Sequence, residues 1–159
     1  NYVSYLSKRP CMASVTFDLN KMKDGDRCGF AAFNGHSGLL TIARNDRDLT
    51  LTQSNTVVNL TDRDKAVTSV DEDIIETVTL KAKTVSLRID ADFTPGKDIV
   101  TFYYKVGNGE WHKIGKPYKM RFDYRRLFMG TRYAIFNYAT KQSGGYVDID
   151  SFNYHLLRK

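Results

Sequence analysis

The sequence is poor in the residues that carry chemistry on their own. Its 159 residues include two cysteines, Cys11 and Cys28. Two cysteines exclude a disulfide framework and a thiolate-rich metal centre. They leave two readings open, a single bridge between neighbouring strands or two buried free thiols. The three histidines, His36, His112 and His155, sit in separate segments without the spacing of a metal site. No nucleophile elbow, phosphate-cradling loop or Cys–His pairing is present. No apolar stretch approaches about 20 residues, so no membrane partner is expected. No secretory signal opens the chain, and it starts at Asn1 without a methionine, as a mature or excised segment does.

Concentrated positive charge is also lacking. The formal net charge is +6, from 24 basic and 18 acidic residues. The basic residues are scattered, and the densest groups are Lys8-Arg9, Lys113 to Arg121 and Arg125-Arg126. Without an arginine-rich run, zinc-finger spacing or RNA-recognition signature, no nucleic-acid partner is expected. Hydrophobic residues make up 42% of the chain. That share and this length suit one folded domain over 1–159 with a full core.

What is abundant is a period of two. Val85, Leu87, Ile89 and Ala91 alternate with Thr84, Ser86, Arg88, Asp90 and Asp92. Val15, Phe17 and Leu19, then Val78, Leu80 and Ala82, then Val100, Phe102, Tyr104 and Val106 repeat the pattern. Each run describes a strand with one buried face. Turn signals separate the runs at residues 23–26, 34–38, 94–97, 107–109 and 143–145. The stretch from Val106 to Trp111 reads as a tight hairpin. Many short strands without intervening helices predict an all-β fold, an antiparallel two-sheet β-sandwich. The charged stretch from Thr61 to Glu76 is expected as a long loop or edge excursion. One short helical turn is expected near Asp123 to Phe128.

Two acidic groups invite a catalytic reading. Asp71, Asp73 and Glu76 lie near the spacing of a nucleophile and acid/base pair in some sandwich glycosidases, which need carboxylates about 5 to 9 Å apart. The competing reading is a solvated acidic segment. Asp148 and Asp150 alternate with Val147 and Ile149, and cross-strand pairing with lysine or arginine is the plainer reading. The alternation changes phase at Ser151, which predicts a bulge that returns Phe152 to the core.

Ten tyrosines, nine phenylalanines and one tryptophan remain as a resource. Sugar rings have apolar faces edged by hydroxyls, and flat aromatic faces with polar rims hold them. Tyr103, Tyr133, Tyr138 and Trp111 are the stacking candidates on strands, each against a core-packing alternative. For Trp111, beside a hairpin, the core is expected. Asn34 and His36, in a glycine-flanked turn, are polar candidates. Phe136, Val147 and Ile149 are expected in the core.

Several blocks occur in order: Asp24 to Gly35, Asp92 to Asp98, Phe102-Tyr-Tyr, Trp111-His-Lys-Ile-Gly115, Phe128-Met-Gly-Thr-Arg132 and Phe136 to Asp148. Together they resemble the C-terminal concanavalin A-like β-sandwich of glycoside hydrolase family 43 β-xylosidases and arabinofuranosidases. The resemblance implies a jelly roll of about a dozen strands or more. It implies a secreted, periplasmic or cell-surface bacterial enzyme as parent, and catalysis by a separate five-bladed propeller that precedes the sandwich. Asn1 to Pro10 resembles the middle of the family's sandwich rather than its start. The resemblance also implies two roles, binding of xylan or xylo-oligosaccharide and completion of the propeller's active site by a Phe-x-Gly loop. Phe128-Met129-Gly130 matches that loop, so Phe128 either reaches the partner domain's substrate or packs in its own sandwich. Such sandwiches often hold a structural calcium, with Asp148, Asp150 or backbone carbonyls as donors, and no other cofactor is expected. The sequence departs from the family pattern at Cys28, where a small residue is usual, and at His36-Ser37, where an aromatic is more common.

Three functions therefore stand beside one another. The first is an accessory carbohydrate-binding domain. The second is a structural sandwich that supports a propeller. The third is a self-contained glycosidase that uses Asp71, Asp73 and Glu76.

Overall fold

In a computed structural model the chain is all β. The structure describes residues 11–34, 36–60, 67–92, 99–119, 132–141, 144–145 and 147–156. They hold ten strands: β1 (Cys11–Asp18), β2 (Asp26–Asn34), β3 (His36–Asn45), β4 (Asp48–Leu60), β5 (Val67–Leu80), β6 (Thr84–Asp92), β7 (Ile99–Val106), β8 (His112–Lys119), β9 (Arg132–Ala139) and β10 (Asp148–Leu156). Sheet I runs β10-β1-β6-β7-β8 and sheet II runs β5-β4-β3-β2-β9. Every strand pairing is antiparallel. The expected two-sheet sandwich forms.

The alternation explains the core. On β6, Val85, Leu87, Ile89 and Ala91 are buried and meet the other sheet. Ser86, on the opposite side, is also buried, and its hydroxyl shares a 2.8 Å hydrogen bond with Thr16 of β1. Phe17, Phe102 and Ile114 of sheet I and Phe30, Leu40, Ile42 and Leu51 of sheet II fill the interior. Each such side chain contributes about 1.5–3 kcal/mol on burial. One contact crosses the whole gap: a Cβ on Gly38 of β3 would lie 2.4 Å from Cζ of Phe102 on β7. The missing side chain at Gly38 is the space that the ring occupies.

The two long sides of the sandwich differ. On one, the backbone N–H of Gly115 in β8 donates to Oε2 of Glu76 in β5 at 2.6 Å, which ties the two sheets together. On the other, β9 and β10 leave large apolar side chains in solvent. Ile135 is 37% exposed, Ile149 50% and Phe152 49%.

The hairpin expected from Val106 to Trp111 joins β7 to β8, and Gly109 N–H donates to Val106 C=O at 3.0 Å. The bulge expected near Ser151 is present. Phe17 pairs with Ile149 and Thr16 with Ser151, so Asp150 is the extra residue. Phe152 accordingly pairs with the buried Val15 and meets Phe30 edge-on at 6.2 Å, but β10 is an edge strand and the ring is 49% exposed, so the bulge does not return it to the core as expected.

Three expectations are corrected. The stretch from Val67 to Glu76 belongs to strand β5, paired along β4, and is no loop. Its charges Glu72, Asp73 and Glu76 sit on an edge strand, where charge discourages further pairing. Ile149 is half exposed rather than core, because β10 is also an edge strand. Phe136 pairs with Gly29, outside the core-facing series of Cys28 and Phe30, so it lies on the outer face. Val147 does pack against the core. The turn expected near Asp123 to Phe128, and residues 61–66, lie outside the described residues.

Candidate functional site

Strand parity sorts the candidates onto two opposite outer faces. Tyr103 pairs with Arg88 across β7–β6 and with Lys113 across β7–β8. The buried Phe102 next to it points inward, so Tyr103 is on the outer face of sheet I. Trp111 stands three residues before the buried Ile114 and joins the same face. It is half-buried against cations rather than in the core, which corrects the expectation for it. The Arg88 guanidinium lies 4.8 Å from the Tyr103 ring centre and 5.7 Å from that of Trp111. Lys105 Nζ lies 4.9 Å from the Trp111 ring. Asp90 fixes Arg88 from both oxygens, at 2.7 Å each. Those hydrogen bonds raise the affinity of the guanidinium for its proton above the ordinary value.

Tyr138 occupies the other face. It pairs with Arg27, while Phe136 pairs with Gly29, so both rings stand on the outer face of sheet II. A Cβ on Gly29 would lie 2.5 Å from Cζ of Phe136, so the ring rests directly over the glycine. Phe136 and Tyr138 stack, with ring centres 6.1 Å apart and planes 27° from parallel. Tyr138 is 48% exposed. Beyond Gly29 the same face continues through Thr41 of β3, Thr52 of β4 and Thr77 of β5. The Thr52 and Thr77 hydroxyls are 3.2 Å apart. This face is therefore hydroxyl-bearing along Thr41, Thr52 and Thr77, with two stacked rings at one side and the exposed Arg27 directly opposite Tyr138.

The remaining candidates are Tyr133, Asn34, His36 and Phe128. Tyr133 pairs with Ala32 of β2. Asn34 and His36 pair with each other where β2 turns into β3. Phe128 lies outside the described residues. Sequence reasoning missed Phe136, Arg88 and Lys105. Arg88 and Lys105 had a signal, since both share the parity of the solvent side of β6 and β7.

The acidic candidates Asp71, Asp73 and Glu76 all lie on the edge strand β5. Glu76 is the clasp to Gly115. Asp73 pairs with Asn55, and Asp71 with Val57, along the same edge strand. Asp148 pairs with Asp18, a carboxylate rather than the expected cation. Asp18 instead accepts from the backbone and side chain of Asn20, at 3.0 and 2.7 Å. Calcium takes six to eight oxygen ligands. Among the described residues no three His, Cys, Asp or Glu side chains gather. Cys28 is a free buried thiol rather than half of a bridge. Burial, with Asp26 nearby, pushes its pKa up to about 12, which leaves it unreactive at neutral pH.

Comparison with known proteins fits this picture. No curated protein matches the chain. Among solved structures, a glycoside hydrolase family 43 enzyme engineered to display both endo-xylanase and exo-arabinofuranosidase activity superposes with a TM-score of 0.81 at 23% identity. The match covers 94% of this chain and 30% of that one. The bifunctional GH43-CE protein of Bacteroides eggerthii gives 0.76 at 30% identity, over 95% of this chain and 18% of that one. The GH43 protein BlXynB of Bacillus licheniformis gives 0.66 at 15%, over 94% and 28%. The chain thus spans less than a third of the length of each. The family model of the β-xylosidase C-terminal concanavalin A-like domain matches residues 6–155. This chain therefore belongs to the C-terminal concanavalin A-like domains of family 43 glycoside hydrolases, the accessory sandwich and not the catalytic domain.

Proposed function

We propose that the chain is the carbohydrate-binding accessory domain of a plant-cell-wall-degrading enzyme, and that a neutral β-linked xylose chain lies on the outer face of sheet II. The stacked, half-exposed Phe136–Tyr138 pair over Gly29 carries this reading. Two ring faces aligned within 27° offer a shelf for the apolar sides of pentose rings. The hydroxyls of Thr41, Thr52 and Thr77 offer neutral partners for the sugar's own hydroxyls, and Arg27 beside Tyr138 adds a hydrogen-bond donor at the edge of the shelf.

Few stacking contacts are available, so the isolated domain binds on the order of 0.1 to 1 mM. On this reading the parent enzyme works where xylan is met, at the bacterial surface, in the periplasm or in the medium. Titration of the chain with xylo-oligosaccharides, followed by tyrosine fluorescence, tests the reading. A saturable change in the millimolar range supports it. A flat response to about 10 mM ligand leaves the sandwich a purely structural support.

A second role, docking on the catalytic domain, is favoured by a separate observation. Ile135, Ile149 and Phe152 form an apolar rim along one open side of the sandwich. Clusters of exposed large apolar side chains mark contact surfaces. In the whole parent enzyme this contact makes the two domains melt together. Ile149→Asp then splits the transition into two, and an unchanged single transition counts against the contact.

A further inference from the structure

We propose that the outer face of sheet I is a second glycan site, selective for sugars that carry a carboxylate. It goes beyond the platform on sheet II and shares no residue with it. The two outer faces of the sandwich differ in chemistry. That of sheet II is hydroxyl-rich along Thr41, Thr52 and Thr77, with Arg27 beside its ring pair. That of sheet I gathers Arg88, Lys105 and Lys113 around the rings of Tyr103 and Trp111, with Asp90 as the carboxylate bound among them.

The three cations are not equivalent. Arg88 spends its fork on Asp90, through two 2.7 Å hydrogen bonds, and spans the two rings. It holds the aromatic pair in place and has little left for an anion. Lys105 forms no ion pair with any carboxylate among the described residues, and its ammonium hovers 4.9 Å from the Trp111 ring. Lys113, exposed and opposite Tyr103, is likewise unpaired among them. The result is an aromatic surface with two unneutralised ammonium groups at its rim. A uronic acid fits both features. Its C–H face lies on a half-buried ring, and its carboxylate meets Lys105 and Lys113 in charge-assisted hydrogen bonds. A neutral pentose uses the ring and leaves the ammonium groups without partners.

The nearby acidic groups do not cancel this field. Asp90 is consumed by Arg88, Glu110 stands exposed in the β7–β8 hairpin, and Asp92 is at the far end of β6, beside Ile99.

The test compares a glucuronate-substituted xylo-oligosaccharide with its unsubstituted counterpart, titrated into the chain at about 20 mM and about 500 mM salt. At low salt the acidic ligand is expected to bind at least about fivefold more tightly, the effect of one screened charge-assisted contact. At high salt the preference should shrink towards one. Lys105→Gln should abolish most of the preference without altering thermal stability. Tyr138→Ala should weaken the neutral ligand and leave the preference for the acidic one. Equal affinity for the two ligands at low salt overturns the proposal, as does a preference that survives Lys105→Gln. Tighter binding of a single-stranded oligonucleotide than of the acidic glycan assigns the face to nucleic acid and also overturns it. If only the acidic ligand binds, the sheet II reading fails and this one stands. If only the neutral ligand binds, the outcome is reversed.

Discussion

Gly38→Ala is the sharpest probe of how the sandwich is closed. The added methyl falls 2.4 Å from Cζ and 3.1 Å from Cε1 of Phe102, far inside carbon–carbon contact distance. Phe102 is completely buried on β7, so its ring has no solvent to retreat into. Either the ring leaves its rotamer or the sheets part locally. Overpacking of this kind costs about 1–3 kcal/mol. For a domain of this size each kcal/mol lowers Tm by about 2–4 °C, so a drop of about 4–8 °C is expected from a central value of 2 kcal/mol. Phe102→Leu alone removes ring atoms above Gly38 and leaves a void, which also destabilises. The double variant fills that void with the new methyl. Its loss should fall short of the sum of the single losses by about 0.5–2 kcal/mol, the coupling of two residues in contact. Urea unfolding monitored by circular dichroism gives all four stabilities. A Gly38→Ala protein that melts with the parent, or strict additivity in the cycle, refutes the contact between the sheets.

Two further outcomes follow from buried and clasping groups. The Cys28 pKa, raised to about 12 from 9.0, stabilises the fold fully below pH 9. That contribution is lost as pH rises from 9 towards 12, because the unfolded thiol ionises there and the native one does not. Stability should therefore fall more steeply over that window in the parent than in Cys28→Ala, and native Cys28 should resist a thiol reagent at pH 8 until denaturant is added. The chain alone should release no reducing sugar from xylan. Glu76→Gln should change only stability, since Glu76 accepts the Gly115 N–H, and sugar release that disappears in this variant contradicts the assignment.

The parts of the fold that were legible in the sequence are those with one apolar and one polar face. β6 is the clearest, because a central strand of sheet I buries Val85, Leu87, Ile89 and Ala91 and turns Arg88 and Asp90 outward. β4 left no such trace. One of its inward positions is Gln53, completely buried, with its amide donating to Ser54 C=O and Asn55 Oδ1. A buried glutamine breaks the apolar rhythm that marks a strand. β2 hides in the opposite way, since Gly29 and Ala31 are small on its outer side and Cys28, Phe30 and Ala32 fill the inner side.

The site was legible residue by residue but not as a surface. Tyr103, Trp111 and Tyr138 were recognisable as strand aromatics. Their separation onto two faces depends on which strands pair, and β9 reaches β2 across about a hundred intervening residues. Phe136 needs Gly29 beneath it, a pairing invisible to local periodicity. The spacing of three between Trp111 and Ile114 puts Trp111 on the solvent side, whereas its place beside a hairpin suggests the core.

Neutral xylan on the Phe136–Tyr138 shelf is tested most directly by amide chemical-shift mapping of the chain during titration with xylohexaose. Shifts should cluster at Gly29, Thr41, Thr52 and Tyr138, and Tyr138→Ala should weaken binding about fivefold or more with Tm unchanged, the loss of one half-exposed stacking ring. Shifts centred on Trp111 and Tyr103, or a Tyr138→Ala protein that binds as the parent does, would contradict it.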